Sequence, residues 1–486
     1  MTPTPTIEET TTRQKWMAFT VLCSAVIMIV IDTTIVNVAL PSIKADLGFQ
    51  DANLAWVVNA YMLTFGGFLL LSGRLGDLFG FRRMFLIGLG IFTVASLGCG
   101  VAQTQSFLLT SRALQGFGGA LLNAVAIALM MNMFTSAENR AKAMAYFSFV
   151  AAGGGSLGVL LGGLLTNSFD WHWNFLINVP IGAIVFFAAI RILPEPSEHD
   201  RTHKLDVLGA VLITVAMMLA VYATVAAAQS GWAAPETLGM FTISALLIGS
   251  FIYRQAKISE PLMPLGLFRL RSVSVANVAG VLWAASMFAW FFVSALYMQL
   301  VLGYTPLQVG LSFLPANLIM AAFAISLSAK MVMKFGMRGP ITGGLLLAGA
   351  GLAWFAQAPV EGTWLVDVLP GMLLMGLGAG MAMNPVMLVA LRDVSPDQTG
   401  VASGLVNTSF MMGGSLGLAV IATVAAGRTA ALEAAGTSTL AALNGGYSIS
   451  FLIGSILAIS AATLVWLRLG RDPIADANEH PGEASA

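Results

Sequence analysis

Two charged side chains interrupt otherwise apolar stretches of this 486-residue chain, Asp32 and Arg112. A charge at bilayer depth costs about 2.5–3.5 kcal/mol on insertion scales, so each is expected to serve a function. Asp32 lies nine residues before Pro41, about 13 Å along a helix, and Arg112 lies about six residues into the fourth apolar stretch, about 9 Å along. The two depths differ by roughly one helical turn, so the pair can face each other across one cavity. Burial disfavours a charged carboxylate and a nearby guanidinium favours it, so a small change of geometry switches Asp32 between protonated and charged forms. The chemistry predicted is uptake and release of a proton; a static ion pair joining two helices is the alternative. Gln115, Gly116, Gly119 and Asn123 follow Arg112 at offsets of 3, 4, 7 and 11 and share one helical face with it. This stripe of polar and small residues reads as a cavity lining, although small residues also serve close packing of helices. On the first helix, Asn37 is about 140° round from Asp32 and is expected to meet a neighbouring helix.

The elements that must hold these residues follow from composition. The chain is 57% hydrophobic and 9% charged, with 23 Lys plus Arg, 23 Asp plus Glu and no net charge. An ordinary soluble protein is about 25% charged, so a soluble fold is excluded, as is the basic footprint of a nucleic-acid binder. Fourteen apolar runs appear, near 16–40, 54–72, 83–102, 106–134, 143–166, 173–193, 206–228, 237–255, 274–300, 309–329, 339–358, 364–391, 401–427 and 446–468. Each approaches the about 20 residues that span a bilayer. The predicted fold is an all-α integral membrane protein of fourteen transmembrane helices. With both termini placed in the cytoplasm, all but Lys44, Arg428 and Arg112 of the 23 cations fall on the cytoplasmic side, as the positive-inside rule requires. The plasma membrane is the expected location. The first run carries Asp32 and lacks a small-residue cleavage site, so it reads as a span rather than a signal peptide. Cys23 and Cys99 lie within apolar runs and read as free thiols.

Internal repetition organises the runs. Phe79-Gly80-Phe81-Arg82 recurs as Phe335-Gly336-Met337-Arg338, Gly154 to Gly158 as Gly413 to Gly417, and Gly116-Phe117-Gly118-Gly119 as Gly376-Leu377-Gly378-Ala379. The three offsets are nearly equal, about 256–260 residues, and occur in order. The expected architecture is two pseudo-symmetric six-helix halves, 16–193 and 274–468, with two inserted helices over 206–255. Cytoplasmic linkers at 194–205 and 256–273 and cytoplasmic tails at 1–15 and 469–486 complete it. Met333 and Met372 replace Asp77 and Arg112 in the second copy, which concentrates charge in the first half.

On these residues the chain resembles the fourteen-helix drug:proton antiporter branch of the major facilitator superfamily over nearly its whole length. Asp32 to Pro41 resembles the branch's helix 1 signature, and Trp56 with Tyr61 its helix 2 signature. Gly73 to Arg83 resembles the superfamily's loop motif, with Gly73, Asp77, Gly80, Arg82 and Arg83 in place. Arg112 to Gly116 resembles the helix 4 motif linked to proton coupling, and Gly155, Gly158, Gly162 and Gly163 the helix 5 antiporter motif. The resemblance implies proton coupling at Asp32 and Arg112 and a cytoplasmic gate at the loop motif. It further implies a cavity lined by helices 1, 4, 9 and 12. Helix 9 supplies Trp283, Met287, Trp290, Phe291 and Tyr297, a stripe suited to planar hydrophobic or cationic ligands, with lipid-facing packing as its alternative. Three departures bear on direction and coupling: Val159 replaces the proline of the helix 5 motif, His172 the arginine of a Trp-Arg-Trp pattern usual before helix 6, and Phe410-Met411 an Arg-Gln pair usual in helix 13.

Other motifs do not amount to sites. Gly153 to Gly158 matches a dinucleotide pattern but lies mid-helix with no preceding strand, and no Gly-Lys dipeptide exists to form a P-loop. His199 and His203 lie in a charged linker and read as solvated rather than metal-binding. No cofactor, nucleotide or nucleic acid is expected, and the chain is not read as an enzyme. The expected partners are a small-molecule substrate, protons and the lipid bilayer. The function read from this is proton-coupled export of hydrophobic or cationic small molecules such as drugs or antibiotics by alternating access. A proton-linked importer or metabolite exchanger of the same fold is the alternative, and a non-transporting scaffold or sensor the third.

Overall fold

The computed structural model describes residues 11–134, 136–193, 206–323, 327–395 and 398–470. Among them the chain is helical and contains no strand. The long helices, numbered in chain order, are α1 (Thr12–Leu47), α2 (Trp56–Phe79), α3 (Phe81–Gly100), α4 (Gln105–Met133), α5 (Ala137–Ser168), α6 (Asn178–Ile192) and α7 (Val207–Ser230). They continue as α8 (Pro235–Lys257), α9 (Arg271–Leu296), α10 (Pro306–Ala322), α11 (Arg338–Phe355), α12 (Leu369–Arg392), α13 (Thr399–Ala434) and α14 (Thr439–Arg468). Eleven spans among the described residues are long and apolar enough to cross a membrane. The other three expected runs fall on α5, α10 and α11; α5 ends in the apolar stretch Leu157–Ser168, and α10 is itself a shorter apolar helix. Helix starts follow local chemistry. Thr11 and Gln14 close a capping box on α1, and Thr305 and Gln308 do the same on α10.

The chain divides into two compact units, residues 1–223 with 232–263, and residues 224–231 with 264–486. Within the first, α1 packs on α5 and α6, α4 on α2 and α3, and α3 on α6. Within the second, α9 packs on α13 and α14, α12 on α10 and α11, and α11 on α14. The second set is the first with every helix number raised by eight, so the sequence repeats correspond to a repeated packing scheme. The repeated Gly-Ser-Leu-Gly segments are close crossings. A Cβ on Gly158 would stand 2.0 Å from Thr34 Oγ1 and 2.8 Å from the Ile31 carbonyl oxygen; one on Gly417 would stand 2.1 Å from Ala285 Cβ. Only glycine lets these backbones approach so closely. The repeated Phe-Gly pairs are turns: Gly80 and Gly336 take φ of 92° and 67° at the breaks before α3 and near the start of α11.

Helices α7 and α8 are clamped where they begin and end. The buried Asp206 carboxylate accepts from Arg254 Nε at 2.6 Å, Gln255 Nε2 at 2.6 Å and the Gly209 N–H at 2.8 Å, capping α7 while holding α8. Gln255 Oε1 then accepts the Met263 N–H at 3.0 Å. Leu71, Ala210 and Leu262 form one cluster, which seats the start of α7 and the segment after α8 against α2 within the first unit.

Candidate functional site

Asp32 and Arg112 are brought together by α1 and α4. Their side chains are 0% and 1% exposed, and Arg112 Nη1 donates to Asp32 Oδ2 at 2.6 Å. The pair is in direct contact rather than facing across a space. Around it, Gln115 of α4 itself and residues of α2, α3 and α6 complete the hydrogen bonds. Gln115, one turn along α4, donates from Nε2 to Asp32 Oδ1 at 2.7 Å and to Ser96 Oγ of α3 at 2.8 Å, and its Oε1 accepts from Arg112 Nη1 at 2.6 Å. Asn178, the first residue of α6, donates to Asp32 Oδ1 at 3.0 Å. Arg112 Nε donates to the Val57 carbonyl of α2 at 2.9 Å. The guanidinium carbon stands 4.6 Å from the Tyr61 ring centroid and 5.6 Å from that of Phe175. Both carboxylate oxygens are thus occupied by donors. These three bonds favour the anion, and a proton arriving at Asp32 weakens each of them by removing the charge they are made to. The Tyr61 hydroxyl is buried beside the cluster and has no hydrogen-bond partner among the described residues.

Of the residues expected to share the Arg112 face, Gln115 joins the charged cluster. Gly116 and Gly119 do not open onto space. A Cβ on Gly116 would lie 2.2 Å from Thr64 Oγ1 and 2.3 Å from the Tyr61 carbonyl oxygen, and one on Gly119 would lie 2.9 Å from the Tyr61 hydroxyl. In this structure their small size serves the α2–α4 contact, which corrects the cavity-lining expectation for both. Asn123 is half-buried. Asn37 is buried, and its amide donates to the carbonyls of Thr33 and Thr34 on its own helix.

The loop-motif residues end α2 and begin α3. Gly73 is half-buried, Gly80 is the buried turn, Arg83 is exposed, and Arg82 Nη2 donates to the Ile190 carbonyl at the end of α6. Its repeat partner Arg338 does the same to the Trp466 carbonyl in the last turn of α14. Asp77 lies on α2, and its side chain falls outside the described residues, as do His199 and His203. In α5, Gly154, Gly158 and Gly162 face α1, whereas a Cβ on Gly155 would meet only Thr34 Cγ2, at 3.9 Å. Val159 is buried within the unbroken helix. His172 stacks on Trp171 at 3.7 Å and lies 3.1 Å from Asp170 Oδ1 through Nδ1. Phe410 packs edge-on against Phe288 at 5.8 Å.

The helix 9 stripe belongs to the second unit. Trp283, Trp290 and Tyr297 are 0–1% exposed, and Met287 and Phe291 are buried. Trp290 and Phe291 both reach Phe313 of α10 at 5.4 Å. Tyr297 donates to the Pro359 carbonyl at 2.8 Å. The indole N–H groups of Trp283 and Trp290 and the Asn317 amide nitrogen, one turn beyond Phe313, are buried without hydrogen-bond partners among the described residues. Asn178, Ser96 and Asn317 were missed by sequence reasoning. The signal available was a polar residue in an apolar run, which their types share with many residues that only bond their own helix.

Residues 22–418 match the Major Facilitator Superfamily. The chain is 35% identical over 97% of its length to the puromycin resistance protein pur8 of Streptomyces alboniger, covering 94% of that protein. It is 37% identical over 84% of its length to the cephamycin export protein CmcT of Amycolatopsis lactamdurans, covering 84% of it. Among solved structures, an auto-inhibited peptide transporter of the POT family aligns with a TM-score of 0.65 at 16% identity, over 95% of this chain and 98% of that one.

Proposed function

Because the chain belongs to the Major Facilitator Superfamily, we propose that it is a proton-coupled antiporter exporting hydrophobic or cationic small molecules, such as drugs or antibiotics, across the plasma membrane. The observation that carries the coupling is the buried Asp32 carboxylate, bonded at once to Arg112, Gln115 and Asn178. In the unprotonated state the three donors hold the carboxylate. Protonation cancels its charge and weakens all three of these charge-assisted bonds, which loosens the joint among α1, α4 and α6. A change of protonation is thereby turned into a change of helix packing, the step that alternating access needs. Asp32 takes its proton on the outside and gives it up on the inside, and substrate moves the opposite way. One charge crossing 100 mV carries about 2.3 kcal/mol, enough to bias a cycle about fiftyfold.

Substrate binding is assigned to the stripe on α9. Aromatic rings flanked by unpaired buried N–H donors suit a planar apolar molecule bearing hydrogen-bond acceptors. The loop residues Gly73, Asp77, Gly80, Arg82 and Arg83 are assigned to the gate at the basic end, which the positive-inside rule places in the cytoplasm.

The test uses purified protein in liposomes under an imposed pH gradient, with the flux of a fluorescent planar cation as readout. Wild type is expected to move the dye against the proton flow, and Asp32→Asn to lose gradient-driven flux while keeping its folded, monodisperse profile. Full flux in Asp32→Asn overturns the coupling assignment. Movement of dye in the same direction as protons overturns export in favour of import.

A further inference from the structure

We propose that the basic ends of α9 and α14 form a binding site for the phosphate headgroup of an anionic phospholipid. A cavity of about 460 Å³ opens there, lined by Arg271, Ser274, Val275, Val278, Leu464 and Arg468, all within the second unit. Its size falls in the range of small-molecule sites. Both arginines are exposed, and neither has an acidic partner among the described residues. The acid near the start of α9, Asp393, is paired with Arg392 at 3.1 Å and also engages Ser272 in the first turn of α9; it is not part of the lining.

The backbone adds to the positive field. Helix α9 starts at Arg271, its cap residue Leu270 offers no side-chain acceptor, and its first turn contains no acid. The Ser274 N–H is bonded to the Leu270 carbonyl, so the N–H groups of the preceding residues are left for another acceptor. An uncapped helix start carries about half a positive charge and suits an oxyanion. Guanidinium groups add bidentate geometry for a phosphate.

Depth and the apolar wall decide between lipid and free phosphate. Trp466, two residues before Arg468, is half-exposed and carries the Arg338 guanidinium 3.9 Å above its ring. Aromatic and cationic residues at a helix end mark the headgroup level of a membrane. From the arginines the lining runs to Val275, Val278 and Leu464, and Val278 is 50% exposed. That wall would lie uncovered beneath an inorganic phosphate, whereas an acyl chain continuing from the headgroup covers it. Basic pockets between helices at this level suit anionic lipid headgroups.

The experiment incubates delipidated full-length protein in detergent with phosphatidylglycerol or phosphatidylcholine and counts retained lipid by native mass spectrometry. A parallel arm measures thermal stabilisation by inorganic phosphate and by a short-chain phosphatidylglycerol. Wild type is expected to retain phosphatidylglycerol and not phosphatidylcholine. Retention should fall at least tenfold in the Arg271→Gln, Arg468→Gln double variant. Val278→Trp, which keeps both arginines but blocks the tail path from an exposed position, should lose retention similarly. Equal retention of the two lipids, or undiminished retention in Val278→Trp or in a folded double variant, overturns the site. Stabilisation by inorganic phosphate as large as that by the short-chain lipid overturns the lipid in favour of a free anion.

Discussion

Asp32 illustrates how far a buried charge depends on the groups around it. Two charges removed from water are repaid only when geometry and supporting hydrogen bonds are good, and removing one partner alone typically costs about 3–5 kcal/mol. Here the support comes from Gln115 and Asn178, each a neutral donor to the same carboxylate oxygen. A hydrogen bond to a charged group contributes about 1.5–3 kcal/mol, so Gln115→Ala and Asn178→Ala should each lower gradient-driven flux about tenfold or more. The double variant should fall short of the product of the two effects, because both act on one group. Additive losses in the transport assay would show that the residues act separately. Arg112→Lys keeps the charge but not the fork that reaches Asp32, Gln115 and the Val57 carbonyl together, and flux should fall there too.

At the scale of helices, the glycines of α5 separate into those that pack and those that do not. Gly158→Ala forces a methyl group into Thr34 and the α1 backbone, and an overpacked contact of this kind costs about 1–3 kcal/mol. Gly155→Ala meets only an ordinary contact and should leave the melting temperature in detergent within about 1 °C, while Gly158→Ala lowers it by several degrees. The clamp on α7 and α8 carries a pH signature. Burial pushes the Asp206 carboxyl upward, but donation from Arg254, the Gly209 N–H and Gln255, with the charge of Arg254, outweighs it and holds the group below the usual carboxylate range. A group lowered in the folded state stabilises above its unfolded value of about 3.9, and that stabilisation is lost as pH falls through the lower folded value. Asp206→Ala should therefore lower the melting temperature at pH 7 and converge with wild type in strong acid; an equal deficit at every pH would refute the ionic clamp.

For the whole molecule, orientation is the open physical quantity, and the charges predict it. With the basic loops inside, Arg83→Cys should react with an impermeant thiol reagent only after cells are permeabilised, and Ser438→Cys should react in intact cells. The native Cys23 and Cys99 are buried and contribute little background. The reverse pattern of labelling would invert the topology. Much at this scale was legible in the sequence, because bilayer thickness sets span length, the cost of burying charge sets where Asp32 and Arg112 can stand, and close crossings demand glycine in both copies of the repeat. Those constraints act locally or along one helix. Which third and fourth residues complete the Asp32 cluster was a different matter. Asn178 lies 146 positions away in sequence, and an asparagine at a helix start looks the same whether it caps its own turn or reaches a neighbour. The stripe below Arg112 shows the same limit, since Gly116 and Gly119 have one spacing for a cavity wall and for a packed crossing, and the approach of Tyr61 and Thr64 decided for packing. Periodicity along a helix determines which residues share a face; only the neighbouring helix determines what that face meets.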